Sequence, residues 1–600
     1  VKQKKISKIE WLSTHRRWPL AVAAIAVVLA LPSLWGGLLA DDYYHRLVIH
    51  RPASYPDVLP HALDTYRFAD GDPDHARRLM DFGALTWYAN PEFKAGFWRP
   101  LTSITQFVEH KAWPNSPWLM HLQSILWYGA LALAVAFLFR RFMGVTLAAG
   151  LAALMFAIDD AHNWPVGFLA NRHGLIACLF GVLALLMHDS WRREGKHAKG
   201  VAAVALFILA LLSGEGGIGT VAYLAAYALF LDTGTWKRRA ASLAPYLVVV
   251  IVWRIAWSAM GYGLEGTGLY TDPLREPLKF FMFFWIQAPL LITGQAAQPP
   301  AEIQGLITIF QPLTILLFAA IAGFFLWAAW RIMKKDRVAR FFGAGALMAL
   351  VPACASLPHN RNLMFAGIGA FALIGLWLAQ LSQRTTVKRL TKAVAVVLIG
   401  IHFILAPLML MLLSRFPLGP NTAWENFSRI PGMDEIDGRD LIIVNHPAPM
   451  LPYYYLGDRA TNNEPLPAHT RVLGQVFSPV TVTRTSPTQI RVRCEYGFSD
   501  YFSRILNGLC RKMSVGDEVR VTGMTARVTE AEDTGLPIEA VFTFDRNLDD
   551  DSLVWMQWSE DSFKPFNPPA IGESVELEPV WLPFGLTIAK FDKLVRRAIY

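Results

Sequence analysis

Cysteine is scarce in this chain, and the four present do not group. Cys178, Cys354, Cys494 and Cys510 form no CxxC pair and no metal-ligand spacing, which excludes a cysteine-based metal site. Cys178 and Cys354 lie in or near apolar runs, where a small buried thiol is the ordinary use. Cys494 and Cys510 share a polar region and could pair if that region is extracytoplasmic. Charge is scarce too: 17% of residues are charged and 54% hydrophobic, with mean hydropathy +0.32. That balance excludes a soluble globular protein. Solenoid repeats, low-complexity tracts, a phosphate-cradling glycine-rich loop and an assignable serine–histidine–acid set are all missing. The net charge of +9 does not point to nucleic acid. Its basic residues cluster between apolar runs, where they read as topology signals.

What the chain has in abundance is long apolar segments. They fall near 18–40, 117–139, 144–158, 166–188, 200–214, 216–231, 243–260, 307–330, 339–357, 363–382 and 393–414, giving about eleven spans, some of which borrow flanking residues to reach full length. Lys2, Lys4, Lys5, Lys8, Arg16 and Arg17 precede the first span and put the amino terminus in the cytoplasm. Alternation then makes the basic turns cytoplasmic, among them Arg140-Arg141 and Arg331 to Arg340, and puts Asp41-Asp42, Asp159-Asp160 and Glu215 on the opposite side. The segment Pro277 to Thr293 breaks this alternation if it crosses, so it reads as a helix lying on the outer surface. The first run lacks a small-residue cleavage pattern and reads as an anchor. The organisation is thus a transmembrane domain over 1–414, with a long first outer loop at 41–116, and a second domain over 415–600.

In that second domain short alternating segments appear: Leu441–Val444, Arg471–Leu473, Thr481–Thr483, Gln489–Val492, Glu518–Thr522, Ile538–Phe544 and Leu553–Trp558. They are rich in β-branched and aromatic residues, with turn chemistry between them. They predict a mostly-β extracytoplasmic domain, a small sandwich or meander, whose plainest role is a structural cap.

Ionisable groups at membrane edges are costly and therefore informative. Asp41 and Asp42 follow the first run directly, and a carboxylate at the membrane surface can accept a proton from a hydroxyl. Arg99 lies in Phe97-Trp98-Arg99-Pro100-Leu101, where a guanidinium can pair a lipid phosphate or simply anchor to headgroups. Asp159, Asp160 and His162 follow the third span, and Arg172 opens the fourth. Glu215 sits in Ser213-Gly214-Glu215-Gly216-Gly217, Arg254 interrupts an apolar run, and Arg361 joins the ninth and tenth spans. Taken singly, each is explained by a salt bridge or a capped helix end. All fall toward one side, Arg254 deepest, and that convergence favours a site. Asp159, Asp160 and His162 carry donors suited to a divalent metal ion, although their spacing specifies none.

In their order along the chain these residues resemble the GT-C superfamily of polyprenyl-phosphate-sugar-dependent glycosyltransferases. The nearest likeness is to the branch of transmembrane, tetratricopeptide-repeat O-mannosyltransferases and their bacterial relatives. Asp41-Asp42 is similar to the acidic pair after the first span, and Phe97-Trp98-Arg99-Pro100-Leu101-Thr102 to an aromatic-Arg-Pro-Leu segment. Pro117-Trp118 with His121 resembles the entry to the second span. Asn171-Arg172-His173-Gly174-Leu175 resembles a Gly-Arg-acid-Leu segment with His173 at the acid, and Leu212-Ser213-Gly214-Glu215-Gly216-Gly217 a Leu-Ser-Lys-Glu-x-Gly segment with Gly214 at the lysine. Tyr270-Thr271-Asp272-Pro273 is similar to an Asn-Pro outer loop, and Asn360-Arg361-Asn362-Leu363-Met364-Phe365 to a Glu-Arg-aromatic-Leu-Tyr stretch. The resemblance covers roughly the first 415 residues; the β-rich segment stands where the tetratricopeptide repeats would be. It implies inverting transfer of a sugar from a polyprenyl-phosphate donor to an acceptor hydroxyl on a protein, lipid or glycan. Asp41, with Asp42 next, would be the base. Arg361, Arg254 and Arg99 would neutralise the leaving phosphate, Arg172 and Glu215 would line the substrate site, and Asp159 or Asp160 would orient the acceptor or bind an ion.

Basic cytoplasmic loops fit a bacterial inner membrane, with the carboxyl-terminal domain periplasmic. A transporter or lipid-linked glycan flippase is the alternative. It calls for repeat symmetry and ionisable groups near the midplane, whereas the polar groups here gather at the outer ends.

Overall fold

The computed structural model describes residues 8–265, 270–302, 313–415, 429–447, 451–498 and 510–580. Lys2, Lys4, Lys5 and the first residues of the 307–330 run lie outside them. The protein is a polytopic helical membrane protein with a β-rich region at its carboxyl-terminal end. Among the described residues eight helices are long and apolar enough to cross a membrane. Seven of them fall on runs read from the sequence, including Trp18–Trp35, Pro117–Met143, Leu169–Glu194 and Asn360–Ser382. The eighth is Pro277–Ala296, expected to lie on the surface; its twenty residues and hydropathy suffice for a crossing. Four other expected spans form shorter helices, Leu147–Ala157, His197–Ser213, Gly219–Phe230 and Arg337–Ala353.

Small residues set the helix packing, because apolar side chains gain little from leaving lipid for protein and close backbone approach supplies the dispersion energy. A Cβ at Gly369 would lie 2.1 Å from the Phe342 carbonyl oxygen, and one at Gly375 would lie 2.7 Å from that of Ala148. Any larger residue there would push apart Met364–Ser382 and the helices it packs against. The faces of Trp236–Ala259 and Leu313–Met333 instead leave Leu247, Ile255, Leu316 and Trp327 exposed, as lipid-facing helices do.

The two ends of the bundle differ in their charge chemistry. Pro117–Met143 and His173–Glu194 both finish at a basic end, where buried Asp189 takes Arg141 and Arg193, each at 2.6 Å, and Asp232 takes Arg192 at 2.7 Å. Both helices begin at the other end, where the candidate residues gather.

The segment after the first span is ordered. It forms a helix at Asp41–His50, β1 (Arg67–Asp70), a helix at Pro73–Phe82, β2 (Lys94–Gly96) and a helix at Pro100–Ala112. β3 (Gly263–Glu265) joins them in an antiparallel sheet of order β1-β2-β3, tying this segment to the end of Trp236–Ala259.

The β-rich region is not a meander. It contains β4 (Asp440–Ile443), β5 (Thr470–Val472), β6 (Val480–Ser486), β7 (Gln489–Cys494), β8 (Glu518–Val521), β9 (Met524–Ala531), β10 (Pro537–Phe544), β11 (Leu553–Ser559), β12 (Ser562–Pro565) and β13 (Ser574–Leu577). An antiparallel sheet runs β13-β6-β7-β10-β9-β8, and a mixed sheet runs β12-β11-β4-β5. In β6 and β7 every second residue is buried, the alternation of a sheet with one wet face. β4 is buried throughout and pairs in parallel with both β11 and β5, which requires crossovers that hairpins cannot provide. One of them is the helix Leu451–Thr461. The conditional Cys494–Cys510 disulfide does not form: Cys494 is buried in the sheet core and Cys510 lies in an isolated β-bridge with Ala89.

The β-rich region grips the first outer segment. Arg471 donates to the Asp81 carbonyl at 2.7 Å and to the Thr522 carbonyl at 2.7 Å. Asp81 accepts from the Thr522 N–H at 2.6 Å. At Gly83, whose φ is +98°, a Cβ would lie 2.2 Å from the Thr470 oxygen, so only glycine allows both the turn and the contact.

Candidate functional site

The two aspartates that follow the first span do different work. Asp42 is 1% exposed; one carboxylate oxygen accepts the Leu39 N–H at 3.0 Å and the other the Ala170 N–H at 2.8 Å. It ties the chain entering Asp41–His50 to the turn Leu169–Asn171 ahead of the next long helix. Both oxygens are used, so the role of second base does not fit it. Asp42→Asn keeps one acceptor and loses the other, leaving a buried N–H unpaired. We expect a loss of about 1–3 kcal/mol in stability, read as a lower melting temperature, with the remaining folded protein still active.

Asp41 is half-buried, and Oδ1 accepts the Tyr454 hydroxyl at 2.7 Å. Burial raises its pKa, and the Tyr454 hydrogen bond and the fields of Arg361 and Arg99 pull it back. The carboxyl is thereby held above the ordinary carboxylate range. Around it, Leu39, Ala40, Phe168 and Ala170 form a small apolar cluster joined by Trp164 and Tyr454.

Arg361 lies over the Trp164 ring. It sits on the 3-10 turn Asn360–Leu363, whose start is capped by His359 Nδ1 accepting the Arg361 N–H at 3.2 Å. Its guanidinium lies 5.0 Å from the Trp164 ring centre and makes no hydrogen bond or ion pair among the described residues. Asn360 fixes the turn, its side-chain oxygen accepting from Ala301 N at 2.9 Å and its N–H donating to Glu302 at 3.0 Å. The cation is therefore positioned by its backbone; it makes no ion pair among the described residues, and its field reaches the carboxyls of Glu302 and Asp41.

The other arginines are committed. Arg99 donates to Glu215 at 2.8 Å and stacks over Tyr66 and Phe97; the pair is nearly neutral, although Glu215 Oε1 has no partner among the described residues. Arg172, expected to line the substrate site, is fully buried. It donates to Glu109 at 2.7 Å, Gln123 at 2.5 Å, Ser124 at 2.8 Å and the Met120 carbonyl at 2.7 Å. It is a bolt between three helices and has no donor turned to a substrate. Arg254 pairs with Asp272 at 2.5 Å and lies over Trp257, so its charge is compensated in the outer loop.

Asp159 and Asp160 are buried, and burial raises the pKa of both, Asp159 further because of the neighbouring Asp160 charge. Asp160 accepts from Gln298 at 3.4 Å. His162 does not join them: Nδ1 meets the Tyr128 hydroxyl at 3.2 Å and its ring packs on Phe156. Among the described residues no three metal-ligating side chains converge, and the trio does not fit a divalent ion.

Sequence reasoning missed Trp164, Glu302 and Tyr454. The Tyr453-Tyr454-Tyr455 run inside an otherwise β-patterned region was the one available signal.

No family model and no curated protein matches the sequence. Among solved structures, the chain is similar to an oligosaccharyltransferase from Archaeoglobus fulgidus tethered with an acceptor peptide. The identity is 15% and the TM-score 0.39, with 76% of this chain and 64% of that one covered. The same archaeal enzyme in complex with an inhibitory peptide and a dolichol-phosphate gives 16% and 0.37, with 76% and 64% covered. ArnT from Cupriavidus metallidurans bound to undecaprenyl phosphate gives 16% and 0.40, with 75% and 86% covered. This chain thus spans less than two thirds of the archaeal enzyme. At that level of similarity neither donor nor acceptor transfers from those proteins to this one.

Proposed function

We propose that this protein is a membrane glycosyltransferase of the GT-C type, moving a sugar from a polyprenyl-phosphate donor to an acceptor hydroxyl by inverting displacement. The observation that carries the reading is the placement of half-buried Asp41 and of Arg361, which makes no ion pair among the described residues, around one apolar seat. The ordered motifs that resemble the superfamily support it. Asp41 takes the acceptor hydroxyl proton as the acceptor oxygen bonds to the anomeric carbon. The bond from that carbon to phosphate oxygen breaks, and polyprenyl phosphate leaves with the electron pair. Arg361 stabilises the charge growing on it, and such stabilisation acts most strongly where water is excluded. The reaction belongs to the acidic, outer end of the bundle, opposite the basic turns.

The test uses full-length protein in proteoliposomes, supplied with radiolabelled undecaprenyl-phosphate hexoses and pentoses and a membrane extract as acceptor. Label should pass to acceptor material. In Arg361→Gln the turnover should fall by about 10²–10³-fold, as when a transition-state donor is lost, with a smaller change in donor KM. Undiminished transfer by Arg361→Gln would remove the basis for the reading.

A further inference from the structure

The β-rich region does not merely stand beside the site. Its helix Leu451–Thr461 packs on Asp41–His50 and reaches β1. Tyr453 stacks on Tyr44 at 5.2 Å and donates to the Phe68 carbonyl at 3.3 Å. Arg46 pairs with Asp458 at 2.9 Å and donates to Asn462 at 2.8 Å. Gly457 lets the two backbones close, since a Cβ there would sit 2.8 Å from a Leu47 methyl. Next to Tyr453, Tyr454 turns into the apolar seat with Phe168 and Trp164 and donates a hydrogen bond from its hydroxyl to Asp41 Oδ1.

We infer that Tyr454 is the positioning residue of Asp41: its phenol fixes Oδ1, leaves Oδ2 as the atom that takes the acceptor proton, and so makes the β-rich region part of the reacting centre. This rests on Asp41 being the base. Oδ2 has no hydrogen bond among the described residues, so the carboxyl without Tyr454 would be free to turn. A donor to one oxygen also favours the ionised form, because the hydrogen bond is stronger to a carboxylate than to a carboxylic acid. The charged and titratable groups around Asp41 are Asp42 on its own helix, Tyr453 and Tyr454 on Leu451–Thr461, Arg99 at the start of Pro100–Ala112 and Arg361 on its turn. His173 lies in the field of the same two arginines. Tyr454 alone among them is hydrogen-bonded to the carboxyl.

Tyr454→Phe removes one oxygen and keeps the ring. Infrared pH titration of full-length protein, taken as wild type minus Asp41→Asn, isolates the Asp41 carboxyl without any substrate. In the Tyr454→Phe background, the corresponding difference should show its midpoint raised by about one pH unit. Transfer from undecaprenyl-phosphate sugar should fall at neutral pH and recover as the pH is raised. Asp458→Asn, which cuts the Arg46 ion pair on the same helix, should leave the midpoint in place. An unmoved midpoint in Tyr454→Phe, an equal shift in Asp458→Asn, or a wild-type carboxyl that does not ionise by pH 10 overturns the inference. Transfer that survives Asp41→Asn overturns the functional reading instead, and the two failures are distinct.

Discussion

Asp41→Asn is expected to reduce sugar transfer by about 10²–10⁴-fold, the usual contribution of a positioned general base, in membranes that contain normal amounts of protein. The expected abundance follows from the electrostatics. Burial raises the Asp41 pKa, so the ionised carboxylate opposes folding at neutral pH. That cost is absent below the ordinary carboxylate range and sets in as the pH rises through the folded-state pKa. Asparagine has the same shape and no charge, can still accept from Tyr454, and should fold at least as well. The wild-type rate carries the matching signature. An ionised base is required, so activity should fall as the pH drops through a value above the ordinary carboxylate range. Asp42→Asn gives the contrast, with stability lost and the chemistry kept. Equal transfer by wild type and Asp41→Asn, measured per folded molecule, would end the assignment.

Arg172→Met should be the most destabilising single change in the site region, costing about 3–5 kcal/mol. Arg172 and Glu109 are both without solvent exposure, and removing the cation strands a buried carboxylate together with Gln123 and the Met120 carbonyl. Glu109→Gln in the same chain should restore much of the loss, because a neutral amide pays no penalty for an absent partner charge. Thermal unfolding followed by fluorescence-detected size exclusion measures both. The double variant should transfer sugar at close to the wild-type rate, since no phosphate contact is removed. A double variant that folds but has lost donor affinity would return Arg172 to the substrate site.

The membrane-edge charges were legible because a carboxylate or guanidinium at the end of an apolar run is too costly to be casual. Apolar length and β-alternation likewise located the long helices and several strands. What sequence could not supply was the partner of each charge. Asp42 is satisfied 128 residues away by a backbone N–H, and Arg172 is satisfied 63 residues away by Glu109. Nothing in local pattern distinguishes either from a residue held open for substrate. Arg361 differs from them only in lacking such a partner among the described residues, a property of the folded chain. Pro277–Ala296 shows the limit of charge alternation: its composition permits a crossing that the loop charges alone argued against. The parallel pairing of β4 with β5 and β11 was hidden because the pattern within a strand does not say which strand it pairs with or in which direction; the crossovers between them decide that.

The contact between Tyr454 and Asp41 joins residues 413 positions apart. Membrane chains are made from the amino terminus, and at about 5–20 residues per second Asp41 is inserted tens of seconds before Tyr454 is synthesised. The first outer segment is held by Arg471 and Thr522 as well, so it too waits for residues made long after it. A chain interrupted after residue 415 would carry the described spans while Asp41 still lacked its hydroxyl partner. The setting of that carboxyl is in this way completed only once the β-rich region has been made and has folded onto the first outer segment.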